Sequence, residues 1–321
     1  MPELPYDKFC TQVQNVTLPI LNLSSTQEAV RHYLERSLSK NTHKAYQNDI
    51  AHFKAAGYSI PCLPEDIAAY IATYAGELSI ATLIRRLSGI NKAHELMNQP
   101  SPTKSEIVRL TMKGIRREHN VKQKQAAPLL RDDLIAILNM LSDDIRGIRD
   151  RAALMVGFGA ALRRSELVAL NLEDIEFVKE GMIVNIRQSK TDQEGLGRKI
   201  SIPRGRTRYC PVESVENWLE NLPRQNAPFL RSIRKGGHIQ QERLSDSAIS
   251  CMVKEHAAKI GLDPKQYSGH SLRAGCVTSL AQMGIPEWQI MKQSGHKSHA
   301  TMMRYVRDAR LFEDHPLEGL F

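Results

Sequence analysis

Apolar residues recur with a helical period along most of the chain. From Thr26, "STQEAVRHYLERSLS" sets Val30, Tyr33, Leu34 and Leu38 on one stripe behind a Ser/Thr cap. "KNTHKAYQNDIAHFKAAG" starts near Asn41, aligns Tyr46, Ile50 and Phe53, and stops at Gly57. "LPEDIAAYIATYAGEL" carries Pro64 at a helix start, where the missing N–H is not needed. "SIATLIRRLSGINKAHELM" is capped by Ser79. Leu83, Leu87 and Ile90 then point inward, which turns Arg85, Arg86 and Lys92 outward. "SPTKSEIVRLTMKGIRREH" completes an all-helical bundle that ends near residue 118.

The period breaks at "REHNVKQKQAAPLL", a polar, basic stretch that ends around Pro128 and reads as a domain boundary. Beyond it, "RDDLIAILNML" and "IRGIRDRAALMVGFGAAL" are helical. Between Leu172 and Pro203 the period falls to two: "MIVNIRQSK" and "RKISIP" alternate like strands on either side of "DQEGLG". Helical patterning resumes from Ser214. The predicted fold is mainly α with a small β-sheet. It comprises a loose arm (1–22), a helical bundle (23–120), a linker (121–128) and a larger second domain (129–321). A chain of 321 residues also exceeds the usual size of one core.

Composition narrows the partner. The formal charge of +9 points to a polyanion, nucleic acid before an acidic membrane. The N-terminus lacks a charged region followed by an apolar core, and no apolar run approaches the ~18 residues of a membrane span. The expectation is a cytoplasmic, DNA-associated protein with no membrane partner. Cys10, Cys62, Cys210, Cys251 and Cys276 are scattered without C-x-x-C pairing, which predicts free thiols rather than a disulfide framework or a zinc site.

Three segments could carry chemistry. In "ALRRSELVALNLEDI", Arg163 and Glu166 share a helix face; they form either a surface ion pair or an arginine held rigidly at the end of an apolar run. In "GHSLRAG", His270 and Arg273 are three apart, behind Ser268 as a cap. A helix N-terminus attracts phosphate, although a histidine satisfied by backbone fits the same spacing. In "SGHKSHATMMRYV", Gly295 ends one helix, Ser298 caps the next, and Tyr305 lies beside Met302 and Met303, as core filling or as a nucleophile. A metal held by His270, His296 and His299 lacks the H-E-x-x-H spacing, an in-step carboxylate and a thiolate pair, so no metal and no cofactor is expected.

Together the order Arg…His-x-x-Arg…Gly-His…Tyr suits phosphodiester transfer. Two guanidiniums can take up charge on the non-bridging oxygens, and a tyrosine can attack phosphorus and store the bond as an ester. From residue ~129 onward the chain resembles the catalytic domain of tyrosine recombinases, the lambda-integrase family. "ALRRSEL" is similar to its first arginine box, "GHSLRAG" to its H-x-x-R box and "GHKSHATMMRYV" to its G-H/W box with the nucleophile. The first domain resembles the family's core-binding domain more diffusely.

The resemblance implies a set of roles. Tyr305 is the nucleophile, and Arg163 and Arg273 clamp the scissile phosphate. His270 bonds the phosphate or takes the tyrosine proton, and His296 supports the transition state. Glu166 partners the basic residues, and Lys190 at the strand end is the general acid, with Lys199 as the alternative. It further implies a two-domain clamp on double-stranded DNA, a homo-tetramer on two sites, and DNA contacts from Lys44, Arg85 and Arg86. The apolar tail Leu317, Leu320 and Phe321 either folds back or docks on a neighbouring protomer. A type IB topoisomerase and a DNA-binding protein without catalysis are the rival readings.

Overall fold

The computed structural model describes residues 40–119, 125–187, 197–222 and 227–309. The helix expected from Thr26, Lys190 and the apolar tail lie outside the described residues. The chain divides into two compact units, Met1–Gln123 and Lys124–Phe321.

The first unit contains α1 (Lys40–Ala55), α2 (Pro64–Thr73), α3 (Ile80–Leu96) and α4 (Glu106–Glu118). Their apolar stripes meet in a core that includes Phe53, Ile67, Tyr70, Ile71, Leu83, Ile90 and Val108. At the start of α3 the Ser79 hydroxyl accepts the Thr82 N–H at 3.2 Å, a cap worth about 1 kcal/mol.

One expectation fails in this unit. Arg86 does not face outward: it is only 8% exposed and donates to the Tyr70 hydroxyl. Its Nε stands 3.9 Å from Oδ1 of Asp49, which is itself buried where α1 packs on α3. A buried carboxylate needs a counter-charge, and the helix period, which counts only apolar positions, does not register that demand. Arg85 also pairs with Asp49, at 2.8 Å, but keeps part of its side chain in solvent, and Lys44 is exposed.

The second unit begins with α5 (Arg131–Met140), α6 (Ile145–Gly159) and α7 (Arg164–Ala169). Strands β1 (Ile175–Val178), β2 (Gly181–Ile186) and β3 (Arg198–Pro203) follow and form an antiparallel sheet in that order. The β2–β3 register runs from Gly181 opposite Pro203 to Ile186 opposite Arg198. Next come α8 (Pro211–Glu220), the hairpin β4 (Arg231–Ile233) and β5 (Ile239–Arg243), and α9 (Asp246–Lys259). The chain then closes with α10 (Ser271–Gln282), α11 (Glu287–Ser294) and α12 (His299–Ala309).

Two details correct the sequence reading of this region. Helix α8 starts at Pro211, before Ser214, and the hairpin interrupts the region expected to be helical. Both hairpin strands are short and mostly exposed or half-exposed, so no apolar alternation announces them.

Helix α6 runs through the core, with Ala152, Ala153, Leu154 and Val156 fully buried against the inward residues of the sheet and α8. Trp218 is sealed there and donates its indole N–H to the Phe229 carbonyl at 2.7 Å. Helices α10, α11 and α12 share a second apolar cluster of Val277, Ala281, Ile290, Met302 and Val306. A Cβ at Gly275 would stand 1.7 Å from the Leu129 carbonyl oxygen, so only glycine lets α10 lie directly on that segment.

Candidate active site

The site begins at the end of α6. Leu162 N–H reaches back to the Gly157 carbonyl at 3.0 Å and Ala161 N–H to Phe158 at 2.9 Å. This is the helix-ending motif that normally carries glycine in a left-handed conformation; here Ala161 holds φ +48°. The turn delivers Arg163 to the mouth of α7 and aims the Ala161 carbonyl at the site. Glu166, 3% exposed, folds back across the first turn. Its carboxylate accepts the Arg163 backbone N–H at 2.9 Å and the Arg163 guanidinium at 2.5 Å.

Arg198, at the start of β3, donates Nη2 to the same carboxylate at 3.3 Å and Nη1 to the Gln293 carbonyl at 3.1 Å. It ties the arginine box to the end of α11. Gly295 ends that helix at φ +66°, and a Cβ there would meet the Arg198 guanidinium at 2.3 Å. The left-handed conformation favours glycine, and any larger residue would push the Arg198 guanidinium from its place.

Arg273 projects from α10 and is 1% exposed. Its Nη1 donates to the carbonyls of Ala161 at 2.8 Å and Ser294 at 2.6 Å, while its Nη2 is buried with no acceptor among the described residues. One edge of the fork is pinned by backbone; the other is held open for an acceptor. His270 occupies the cap position of α10. The Ser268 hydroxyl, expected as the cap, instead accepts the His270 backbone N–H at 3.2 Å. The helix proper starts at Ser271, three residues past the serine, after a turn in which the Ser268 carbonyl accepts the Ser271 N–H at 2.9 Å.

The His270 Nε2 stands 3.0 Å from the Tyr305 hydroxyl. The Tyr305 and His296 rings lie 6.0 Å apart between centroids. The Met302 side chain next to Tyr305 fills the α10–α12 cluster, whereas Tyr305 itself is only half-buried.

The electrostatics follow from this crowding of cations. Desolvation, then the charges of Arg273, Arg163 and Arg164, lower the His270 imidazole below its usual range and favour its neutral form. Burial, then Arg163, takes the Arg273 guanidinium down to about 10, with Glu166 opposing. Burial by itself would raise the Glu166 carboxyl. Hydrogen bonds from the Arg163 backbone and guanidinium, with the charges of Arg163 and Arg198, outweigh it and hold the group below the usual carboxylate range. Burial raises the Tyr305 phenol, against the pull of Arg273 and Arg304.

The fold thus brings Arg163, Glu166, His270, Arg273, His296 and Tyr305 together. Arg198, Gln293 and Ser294 join them without having been singled out. Arg198 had a legible signal: strand alternation puts it on the inward face of β3 with Ile200 and Ile202, an unexpected place for an arginine. Lys199 is exposed on the opposite face of that strand. His299, considered as a third ligand, bonds Glu287 at 2.5 Å instead. Among the described residues no group of three or more His, Cys, Asp or Glu side chains could hold a metal ion. Lys44 and Arg85 belong to the first unit.

Residues 128–311 match the phage integrase family. An integrase/recombinase XerD homolog of Selenomonas ruminantium is 33% identical over 298 residues, covering 90% of this chain and 87% of that protein. Recombinase cre of Escherichia phage P1 is 26% identical over 283 residues, covering 79% and 81%. The chain belongs to the phage integrase family, the tyrosine-type site-specific recombinases. Among solved structures, a XerH site-specific recombinase bound to a palindromic difH substrate aligns with a TM-score of 0.60 at 18% identity, covering 96% of this chain and 91% of that one. A lambda integrase (75–356) dimer bound to a COC′ core site aligns at 0.60 and 19%, covering 90% and 96%. At those identities the likeness is one of fold.

Proposed function

We propose that this recombinase cuts and rejoins double-stranded DNA through a covalent 3′-phosphotyrosyl intermediate, without metal or ATP, as a homo-tetramer on two sites. The observation that carries the reading is the Tyr305 hydroxyl 3.0 Å from His270 Nε2, beside an Arg273 guanidinium with one buried, unpartnered edge. A phosphodiester there would meet Arg273 Nη2 and Arg163 on its non-bridging oxygens. The Tyr305 oxygen attacks phosphorus as its proton passes to neutral His270, and the bond to the 5′ oxygen breaks. That oxygen needs a proton to leave, and Lys190 is its assigned donor. Charge that builds on phosphorus is taken up by the two guanidiniums, with His296 in support. Glu166 keeps Arg163 oriented. The ester conserves the energy of the broken bond, so a free 5′ hydroxyl from either duplex can reverse the step.

The likeness in fold to XerH bound to its difH substrate and to lambda integrase bound to a core site supports a duplex recombination site as the partner. Lys44 and Arg85 are the proposed phosphate contacts of the first unit; buried Arg86 is not among them. Exchange of C-terminal tails between neighbours would close the tetramer.

The test is covalent trapping on suicide duplexes nicked beside the cleavage position and drawn from DNA adjoining the gene. Wild-type protein should give an adduct that survives denaturation. Tyr305→Phe should bind the same duplexes and give none; an adduct in that variant would overturn the assignment. Exchange of strands between two duplexes, rather than relaxation alone, separates a recombinase from a topoisomerase.

A further inference from the structure

Ser294, the last residue of α11, is buried and touches two catalytic groups at once. Its carbonyl accepts from Arg273 at 2.6 Å. Its hydroxyl oxygen stands 2.7 Å from the Ile290 carbonyl oxygen and 2.7 Å from Nδ1 of His296. A hydroxyl has one hydrogen and a carbonyl has none. The Ser294 hydrogen is therefore spent on Ile290, and the hydrogen of the second contact must come from Nδ1. A neutral imidazole has only one N–H, so Nε2 of His296 carries a lone pair and can accept but not donate.

The groups facing this ring are cations or polar: Arg273, Arg163, His270 and Arg198, with the Tyr305 ring 6.0 Å away. Burial, then the charges of Arg273, Arg163, His270 and Arg198, take the imidazole down to about 3. An oxyanion among these residues would offset part of that positive field.

We infer that Ser294 is a positioning residue that fixes His296 as its Nδ1–H tautomer, so that His296 can hydrogen-bond an oxyanion only after Nε2 takes a proton from solvent. One N–H bond forms, the ring becomes an imidazolium, and the anion supplies the compensating charge. Oxyanion binding and proton uptake are then linked, each strengthening the other by the same factor. A ring free to place its hydrogen on Nε2 would bind the same anion with no proton uptake. Ser294 thereby makes the response of the site to a phosphate depend on pH. The identity of that oxyanion as a DNA phosphodiester rests on the recombinase reading; the tautomer does not.

The experiment is nitrogen NMR on full-length protein labelled at histidine, with His296→Gln to assign the resonance. Sulfate is the probe because it stays largely a dianion even in the acidic range where His296 titrates. In free wild-type protein, neutral His296 should carry its hydrogen on Nδ1. Saturating sulfate should raise its apparent pKa by at least about one unit, a tenfold gain in proton affinity. Ser294→Ala should move the hydrogen to Nε2 and shrink the sulfate-induced shift. A wild-type hydrogen on Nε2, a pKa unmoved by sulfate, or an unchanged tautomer in Ser294→Ala would each overturn the inference. The two wild-type measurements decide it even where the variant does not fold. Failure of the recombinase reading would be seen separately, as absence of a trapped Tyr305 adduct.

Discussion

Replacement of Glu166 tests whether the arginine cluster is held by one buried carboxylate. The group accepts from the Arg163 backbone at 2.9 Å, the Arg163 guanidinium at 2.5 Å and Arg198 at 3.3 Å. Glu166→Ala leaves two guanidiniums without their shared anion, and breaking a buried pair in this way costs about 3–5 kcal/mol. Glu166→Gln keeps the shape and one carbonyl acceptor but loses the charge, a smaller loss of about 1.5–3 kcal/mol. Urea unfolding followed by tryptophan fluorescence isolates the effect, because both tryptophans of the chain, Trp218 and Trp288, belong to the second unit. Trp218 is fully buried and Trp288 is 65% exposed, so Trp218 carries most of the signal.

With a slope of about 2 kcal/mol per molar urea, the midpoint should fall by about 1.5–2.5 M for alanine and about 1 M for glutamine. The pH dependence has a definite sign. The folded state holds the Glu166 carboxyl below its unfolded value. Its contribution is therefore complete above the unfolded pKa of about 4.3 and is lost as pH falls through the lower folded value. The gap between wild type and Glu166→Gln should be widest at neutral pH and close on acidification. A midpoint shift within error of zero at neutral pH, or a gap that widens with acid, would refute the reasoning.

Two further outcomes can be measured. Lys190→Ala should cleave the natural phosphodiester slowly and recover on a substrate whose 5′ leaving oxygen is replaced by sulfur, which needs no proton; recovery in Lys199→Ala instead would move the assignment. Ala161→Gly removes a left-handed alanine at φ +48° and should raise stability by about 1 kcal/mol, or about 2–4 °C in the melting temperature of the second unit. A lower melting temperature would mean that the Ala161 methyl contributes more packing than its backbone costs.

The motifs were legible because each depends on neighbours in sequence. The three-residue spacing of His270 and Arg273 aligns them on one helix face in any fold. Gly295 announces a left-handed helix end, and an arginine that follows the apolar run of α6 is delivered wherever that helix stops. The mainly helical class followed from the same local periods, and the β2–β3 strands from alternation. The short hairpin at residues 231–243 escaped because strands of 3 and 5 residues, mostly exposed or half-exposed, leave no period to read.

The tertiary structure decided which cations act together, since that depends on burial and charge rather than on spacing. Arg86 lies three residues after Leu83 and four before Ile90, on the flank of the apolar stripe; its charge favoured exposure, yet the buried Asp49 on α1 draws it inward. Arg198 is 32 residues from Glu166, and only the placement of β3 beside α7 and α11 makes them partners. The hydrogen on His296 is set by Ser294, which the sequence marks only as the residue before a glycine. Local sequence determined where each functional group enters the fold. Packing determined its protonation and its partner, because the energy of a charge in a protein depends on what lies within a few ångströms of it, whatever the distance along the chain.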